Sequence, residues 1–343
     1  MRVAVYYSNS DIRIEQRPRP TAGPGELLLR VEACGICGSD VMEWYRKPRA
    51  PLVLGHEVTG VVEAAGAGTT GFRPGDRVVT THHVPCGRCR YCRTDREAAC
   101  PTLHETSFDP GGLAEWLRLP AINVERGTLR LPDAVSLEAG SFVEPLACVV
   151  RAQRLCGVRA GDRVAIVGSG LSGLLHLQLA RFTGAERTMA LDTRAERLAA
   201  AKRLGADEVF LAQEGSAPAR SAERVLVCAA APAAIELALR VVDDGGTVLL
   251  FAPLASGATL PLPMYELWKR GIALTHSYAG PPDDMRRALE LIASGKIDVT
   301  SMITHRLPLA EAAEAFRLTA AGGAALKVIV QPHPVGTPEW HGE

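Results

Sequence analysis

Cys86, Cys89, Cys92 and Cys100 fall in a C-x2-C-x2-C-x7-C run within the polar segment PCGRCRYCRTDREAAC. Four thiolates suit a tetrahedral Zn²⁺ site with sulfur–metal bonds of ~2.3 Å, and a loop this short closes only around something that draws the sulfurs together. The expected product is a closed structural zinc site in a lobe spanning about residues 83–103. Disulfides are the competing reading, but cysteines three apart in a loop pair awkwardly, and Arg88, Arg90 and Arg93 among them favour thiolate over thiol.

A second stretch with chemical meaning is the glycine turn Gly168-Ser169-Gly170-Leu171-Ser172-Gly173. Such turns are common, so the context carries the weight. The turn follows the apolar run RVAIV, opens the helical pattern LLHLQLARF, and Asp192 closes the next strand pattern. The glycines permit a tight turn, close approach of a pyrophosphate and close helix-to-strand packing, while the helix start at Leu171 and Ser172 receives the phosphate charge. Asp192 can accept hydrogen bonds from both ribose hydroxyls of NAD and would repel a 2′-phosphate, so NAD is expected over NADP. Arg194 and Arg197 blur that preference, unless they cover the adenine or pair with Glu196.

A third set is dispersed. Cys37 in GICGSD, His56 in LGHE and Glu144 in VEPLA offer a thiolate, an imidazole and a carboxylate, a mixture suited to a catalytic zinc with one open coordination position. Taken singly, each has a plainer explanation as core, satisfied polar group or helix cap.

These groups must be positioned by more than one core, because 343 residues exceed the roughly 250–300 at which single cores stop growing. Before residue 140 the chain is rich in short strand patterns, VAVYY, ELLLRVEA, VTGVVEAAG and DRVVTT, with glycine and proline between them. Then strands and helices alternate: RVAIV, the glycine turn and its helix, a strand ending at Asp192, the helical RAERLAAAKRLGA, and strands at ERVLVCAA and GGTVLLFA. That order argues a parallel, doubly wound sheet. Two helical patterns, MRRALELIASG and LAEAAEAFRLTA, and a strand in ALKVIVQP follow. Lys plus Arg equal Asp plus Glu at 38 each, so no global field recruits nucleic acid or anionic membrane. Met1 runs straight into a strand pattern and no apolar run approaches ~20 residues, so neither leader nor spanning helix is expected. Nine cysteines, most outside the four-cysteine run in apolar surroundings, fit the reducing cytoplasm.

Together these segments resemble the zinc-dependent medium-chain dehydrogenases, the family of alcohol, sorbitol and threonine dehydrogenases. The resemblance runs from ELLLRVEACGICGSD through GHE, the cysteine lobe and the glycine turn to ALKVIV. It implies a GroES-like, β-rich catalytic domain split around a Rossmann domain, with boundaries expected at 1–147, 148–282 and 283–343. The active site then lies in the cleft between the domains. It also implies zinc ligation by Cys37 and His56, with Glu144 where sorbitol and threonine dehydrogenases place a glutamate, and Glu57 able to enter the zinc sphere in place of water. By the same resemblance Ser39 relays the substrate proton, Asp40 orients the zinc-bound histidine, and the chain forms a dimer or tetramer through Rossmann sheet edges, with GIALTHSYAG as the edge strand. Trp44, His83 and Phe108 are candidates for the substrate pocket.

Two departures affect the substrate. Met42 stands where many relatives carry a histidine that ends the proton relay, which leaves the ribose, water or Glu43 as the onward acceptor. His83 matches threonine dehydrogenases, whereas Ser39 stands where those usually have threonine. The reading is therefore a zinc- and NAD-dependent dehydrogenase of a secondary alcohol in a polyol, sugar or cyclitol. L-Threonine 3-dehydrogenation and a non-catalytic zinc- and nucleotide-binding protein are the alternatives.

Overall fold

The described residues fold into two compact units, Met1–Glu144, Val299–Ala321 and the strand from Lys327 onward in one, and Pro145–Asp298 with Gly322–Leu326 in the other. The computed structural model describes residues 1–213 and 217–333.

The first unit is built on a seven-stranded sheet and a three-stranded one. In the larger sheet, strand Leu27–Gly35 is central: it pairs antiparallel with Glu57–Ala65, with Trp116–Leu119 and with Lys327–Gln331. Its residues are almost all buried, as a strand covered on both faces requires. Register decides what happens next. Gly35 faces Glu57, so the chain leaving one strand through Cys37 and the chain entering the other through His56 emerge side by side. This is the β-rich half anticipated from its strand patterns.

The second unit carries a six-stranded sheet, all parallel, in the spatial order Glu208–Leu211, Arg187–Asp192, Arg163–Val167, Ala222–Val227, Val242–Leu250, Ala273–His276. The order reverses direction beside Arg163–Val167, the position at which doubly wound sheets open a crevice for ligands. Helix Leu171–Thr183 follows that strand at once, and its residues Gly173 through Ala180 are buried. Gly184, at φ 92°, ends it by donating to Ala180 and Arg181 carbonyls.

Helix Pro282–Ala293 differs from expectation in its allegiance. The boundary between nucleotide domain and returning segment was expected after residue 282, whereas the helix belongs to the second unit and the division falls after Asp298. Its face of Met285, Ala288, Leu291 and Ile292 is buried, Arg154 pairs with Asp284 at 3.1 Å, and Gln178 holds Asp298 through both its backbone N–H and carbonyl. Among the described residues no helix is long and apolar enough to cross a membrane.

Candidate active site

The four-cysteine lobe folds with little regular structure, short 3-10 turns at Cys92–Thr94 and Glu97–Ala99 and a one-turn helix Pro101–Glu105 that starts after Cys100. Gly87 and Asp95 take left-handed backbone conformations that turn the chain back on itself. All four sulfurs lie within 4.8 Å of one another, Cys89 to Cys92 at 3.5 Å and Cys86 to Cys92 at 3.9 Å. A tetrahedron with ~2.3 Å bonds has edges of ~3.8 Å, so the spacing fits zinc and is far beyond an S–S bond of ~2.05 Å. Backbone N–H groups of Cys89 and Cys86 point at Cys86 and Cys100 sulfurs, each at 3.4 Å. The backbone at Arg88 and then Cys89 lowers the Cys86 thiol to about 6, whereas burial and the neighbouring Cys89 push Cys92 up to about 12. Negative charge on one sulfur raises the cost of charge on the next, a cost that a divalent cation held among the four would offset.

In the first unit Cys37, His56 and Glu57 converge, their ligand atoms all within 4.8 Å of one another. Gly55 makes the approach possible: its φ is 96° and a Cβ there would meet Cys34 Sγ at 2.6 Å and the Leu113 backbone nitrogen at 2.8 Å. Asp40, fully buried, lies with Oδ1 3.4 Å from His56 Nδ1 and accepts the Cys37 N–H on Oδ2 at 3.1 Å. That fixes the imidazole through Nδ1 and leaves Nε2 as the ligand atom. Burial opposes charge on His56, but Asp40 and Cys37 outweigh it and raise its pKa well above the usual value. Glu57 forms a buried ion pair with Lys327 through Oε2, while Oε1 is buried with no hydrogen-bond partner. A thiolate, an imidazole and a carboxylate with one orphaned oxygen are the donor set of a zinc site with an open position. Glu144 is buried in the first turn of helix Val143–Cys156 and is not among the three converging ligands.

Ser39 lies beside these ligands, its N–H donating to Cys37 Sγ at 3.4 Å. Its Oγ accepts a hydrogen bond from Arg46 Nη2 at 3.0 Å. The His82 ring lies tilted against its neighbours, its centre 4.7 Å from that of His56, 3.7 Å from that of His83 and 6.1 Å from that of Phe108. Burial first, and then His56, hold both His82 and His83 below the ordinary histidine range, His83 at about 4, so both stay neutral near pH 7. His83 is tied to the Leu103 carbonyl at 2.9 Å, Phe108 is buried, and Trp44 is exposed on the short helix Glu43–Arg46. Glu43, named as an onward proton acceptor, faces Lys47 at 3.7 Å. Sequence reasoning passed over Arg46, His82 and Lys327. A lysine inside the apolar run ALKVIV was the one readable signal, since a charge there needs a partner.

In the second unit Gly168 has φ 99°, and a Cβ on Gly173 would collide with the Gly168 carbonyl, so both positions demand glycine. Gly170 caps the helix in extended conformation, and Leu171 and Ser172 form its first turn. Asp192 latches this turn to the next strand: its carboxylate accepts the N–H of Ser169 at 2.7 Å and of Arg194 at 2.9 Å. Arg197 stands 3.9 Å from Asp192 and next to Gly170 and Gly322. Two of the roughly four lone-pair sites of Asp192 remain for a ligand's hydroxyls.

A glycine turn on a parallel sheet and a cysteine–histidine–glutamate cluster beside a serine define a metal- and dinucleotide-dependent dehydrogenase. Residues 23–133 match the alcohol dehydrogenase GroES-like domain and residues 173–294 the zinc-binding dehydrogenase domain. Sorbitol dehydrogenase of Gallus gallus is 35% identical over 339 residues, covering 93% of each chain. A putative zinc-binding dehydrogenase of Sinorhizobium meliloti 1021, bound to NADP, superposes with a TM-score of 0.86 at 30% identity over 96% of this chain and 99% of that one. The alcohol dehydrogenase of Thermus sp. ATN1 gives 0.84 at 31% over 96% and 99%. The chain belongs to the zinc-containing medium-chain alcohol dehydrogenase family. It is an NAD(P)-dependent zinc dehydrogenase acting on CH–OH groups, and its two clusters suit two zinc ions.

Proposed function

We propose that the protein oxidises a secondary alcohol of a polyol, sugar or cyclitol and passes the hydride to NAD. The observation that carries this reading is the convergence of Cys37, His56 and Glu57 with Ser39 alongside, and Glu144, standing where alcohol dehydrogenases place a second cysteine, supports the polyol class over simple alcohols. A zinc ion in this set supplies Lewis acidity toward a hydroxyl oxygen, and NAD supplies the hydride acceptor. Ser39 Oγ would take the hydroxyl proton and pass its own to water or, with NAD bound, to a ribose hydroxyl. Asp40 keeps His56 in one orientation and tautomer. Lys327 neutralises one oxygen of Glu57 and leaves the other for the metal. Glu57 is the third ligand in this reading and Glu144 the second candidate. Zinc content of Glu57→Gln against Glu144→Gln decides between them.

Asp192 favours NAD, because a 2′-phosphate would meet its charge. The likeness to sorbitol dehydrogenase supports the polyol class. The experiment is a panel of polyols, cyclitols and L-threonine with NAD and with NADP, followed by absorbance of the reduced cofactor. Turnover confined to L-threonine would replace the polyol reading. Absence of turnover with every member of the panel would overturn the polyol reading and point to a CH–OH substrate outside it.

We also propose assembly into a dimer or tetramer through the strand Ala273–His276. It is the last strand of its sheet, and Met264, Tyr265, Trp268, Leu274 and Tyr278 near it are exposed.

A further inference from the structure

Met42 removes the imidazole that would stand behind Ser39, yet the structure does not leave the serine unsupported. Arg46 ends the short helix Glu43–Arg46 and turns its guanidinium back onto the preceding loop. Nε donates to the Ser39 carbonyl at 3.0 Å, and Nη2 donates both to Ser39 Oγ at 3.0 Å and to Asp40 Oδ1 at 3.3 Å. The side chain is only 12% exposed and its carbon centre lies 4.7 Å from the Tyr45 ring. Asp40 in turn is fully buried and shares that same Oδ1 with His56.

We infer that Arg46 is a positioning residue of the reaction centre, one planar fork that holds the Ser39 hydroxyl and the Asp40 carboxylate in fixed relation to each other and to His56. This rests on the reading of Ser39 as proton acceptor. A guanidinium is rigid, always charged and a donor only, so it cannot accept the serine's proton. By occupying one lone pair of Oγ it leaves the other lone pair and the O–H as the two groups that exchange protons. The substrate's O–H bond breaks as a new bond forms to Oγ, and the serine's original proton leaves to a ribose hydroxyl or water, so Ser39 ends as it began. The cation stabilises negative charge on that oxygen during the exchange, which a neutral imidazole at position 42 would do less well. Charge-assisted hydrogen bonds shielded from water are roughly twice as strong as neutral ones. The charged and titratable groups within electrostatic reach of Arg46 are Tyr6, Asp40, His82, His83 and, across the Tyr45 ring, Arg49.

The test uses the zinc-loaded enzyme and the variants Arg46→Met and Arg46→Lys. Arg46→Met is expected to lower kcat roughly 10- to 100-fold, to move the alkaline rise of kcat/KM to higher pH, and to leave NAD affinity unchanged. Release of the chelator-labile zinc should quicken by about tenfold, because Asp40 no longer holds His56 firmly. In a Ser39→Ala background the loss of kcat on Arg46→Met should shrink to about threefold or less, the mark of residues acting as a unit. Lysine restores the charge without the fork and is expected to recover only part of the rate, so it serves where the methionine variant does not fold. Wild-type kcat and pH profile in either variant would overturn the inference, as would an unchanged rate of zinc release or an undiminished loss in the Ser39→Ala background. Zinc release is read without turnover, so a failure of the dehydrogenase reading and a failure of this inference give different results.

Discussion

Ser39 sits within reach of a cation on one side and a metal ligand on the other, so its hydroxyl carries a burden unlike that of an ordinary turn serine. Ser39→Ala should reduce turnover by about two to four orders of magnitude while leaving NAD binding nearly unchanged, measured by steady-state kinetics and NAD titration. Wild-type rates in that variant would show that the proton leaves by another route. Asp192→Ala should weaken NAD binding by about 1–3 kcal/mol and narrow the preference over NADP, with the loosened Ser169 turn contributing to the loss. A faster wild-type reaction with NADP at equal concentration would contradict the role given to Asp192. His176, buried against Phe251 in the second unit, makes a separate point about pH. Burial lowers it to about 3 from an ordinary 6.5. The unfolded chain therefore binds the extra proton between those values, and stability falls as pH drops through that window. Urea unfolding at pH 7 and pH 5 should show a larger loss for wild type than for His176→Leu.

At the scale of elements, the lobe and the glycine turn were readable because their parts are neighbours in sequence. Cys86 to Cys100 span a single loop, and Gly168 to Gly173 a single turn, so spacing alone nearly dictates geometry. The metal cluster is different. Cys37 and His56 meet only because Gly35 pairs with Glu57 in the sheet, a register that local pattern does not report, and the resemblance supplied it instead. Lys327 reaches Glu57 from a strand 270 residues away, and Arg46 folds back from a helix too short to show periodicity. Helix Pro282–Ala293 was legible as amphipathic, but an apolar face tells that it is buried and not which unit buries it. The closed lobe yields its own expectation: Cys100→Ser should lower Tm by at least ~5 °C, since loss of one ligand uncouples metal binding from folding. Catalytic rate per zinc-loaded Cys37/His56 centre should change much less. An unchanged melting curve would mean that the lobe contributes little to the fold.

For the whole molecule, an edge strand with apolar neighbours is a liability unless another chain covers it. Light scattering at micromolar concentration should give a dimer or tetramer, and a charge at Trp268 (Trp268→Glu) should shift it toward monomer. A wild-type monomer would count against assembly through this edge. The most direct test of the central claim is zinc content followed together with turnover as a chelator is added. The account predicts two zinc ions per chain at the outset. Turnover should fall to zero in step with loss of the first, from Cys37, His56 and Glu57, while the second stays with the four cysteines and the melting curve barely moves. Activity that survives loss of the first ion, or an active enzyme with one zinc or none, would contradict it.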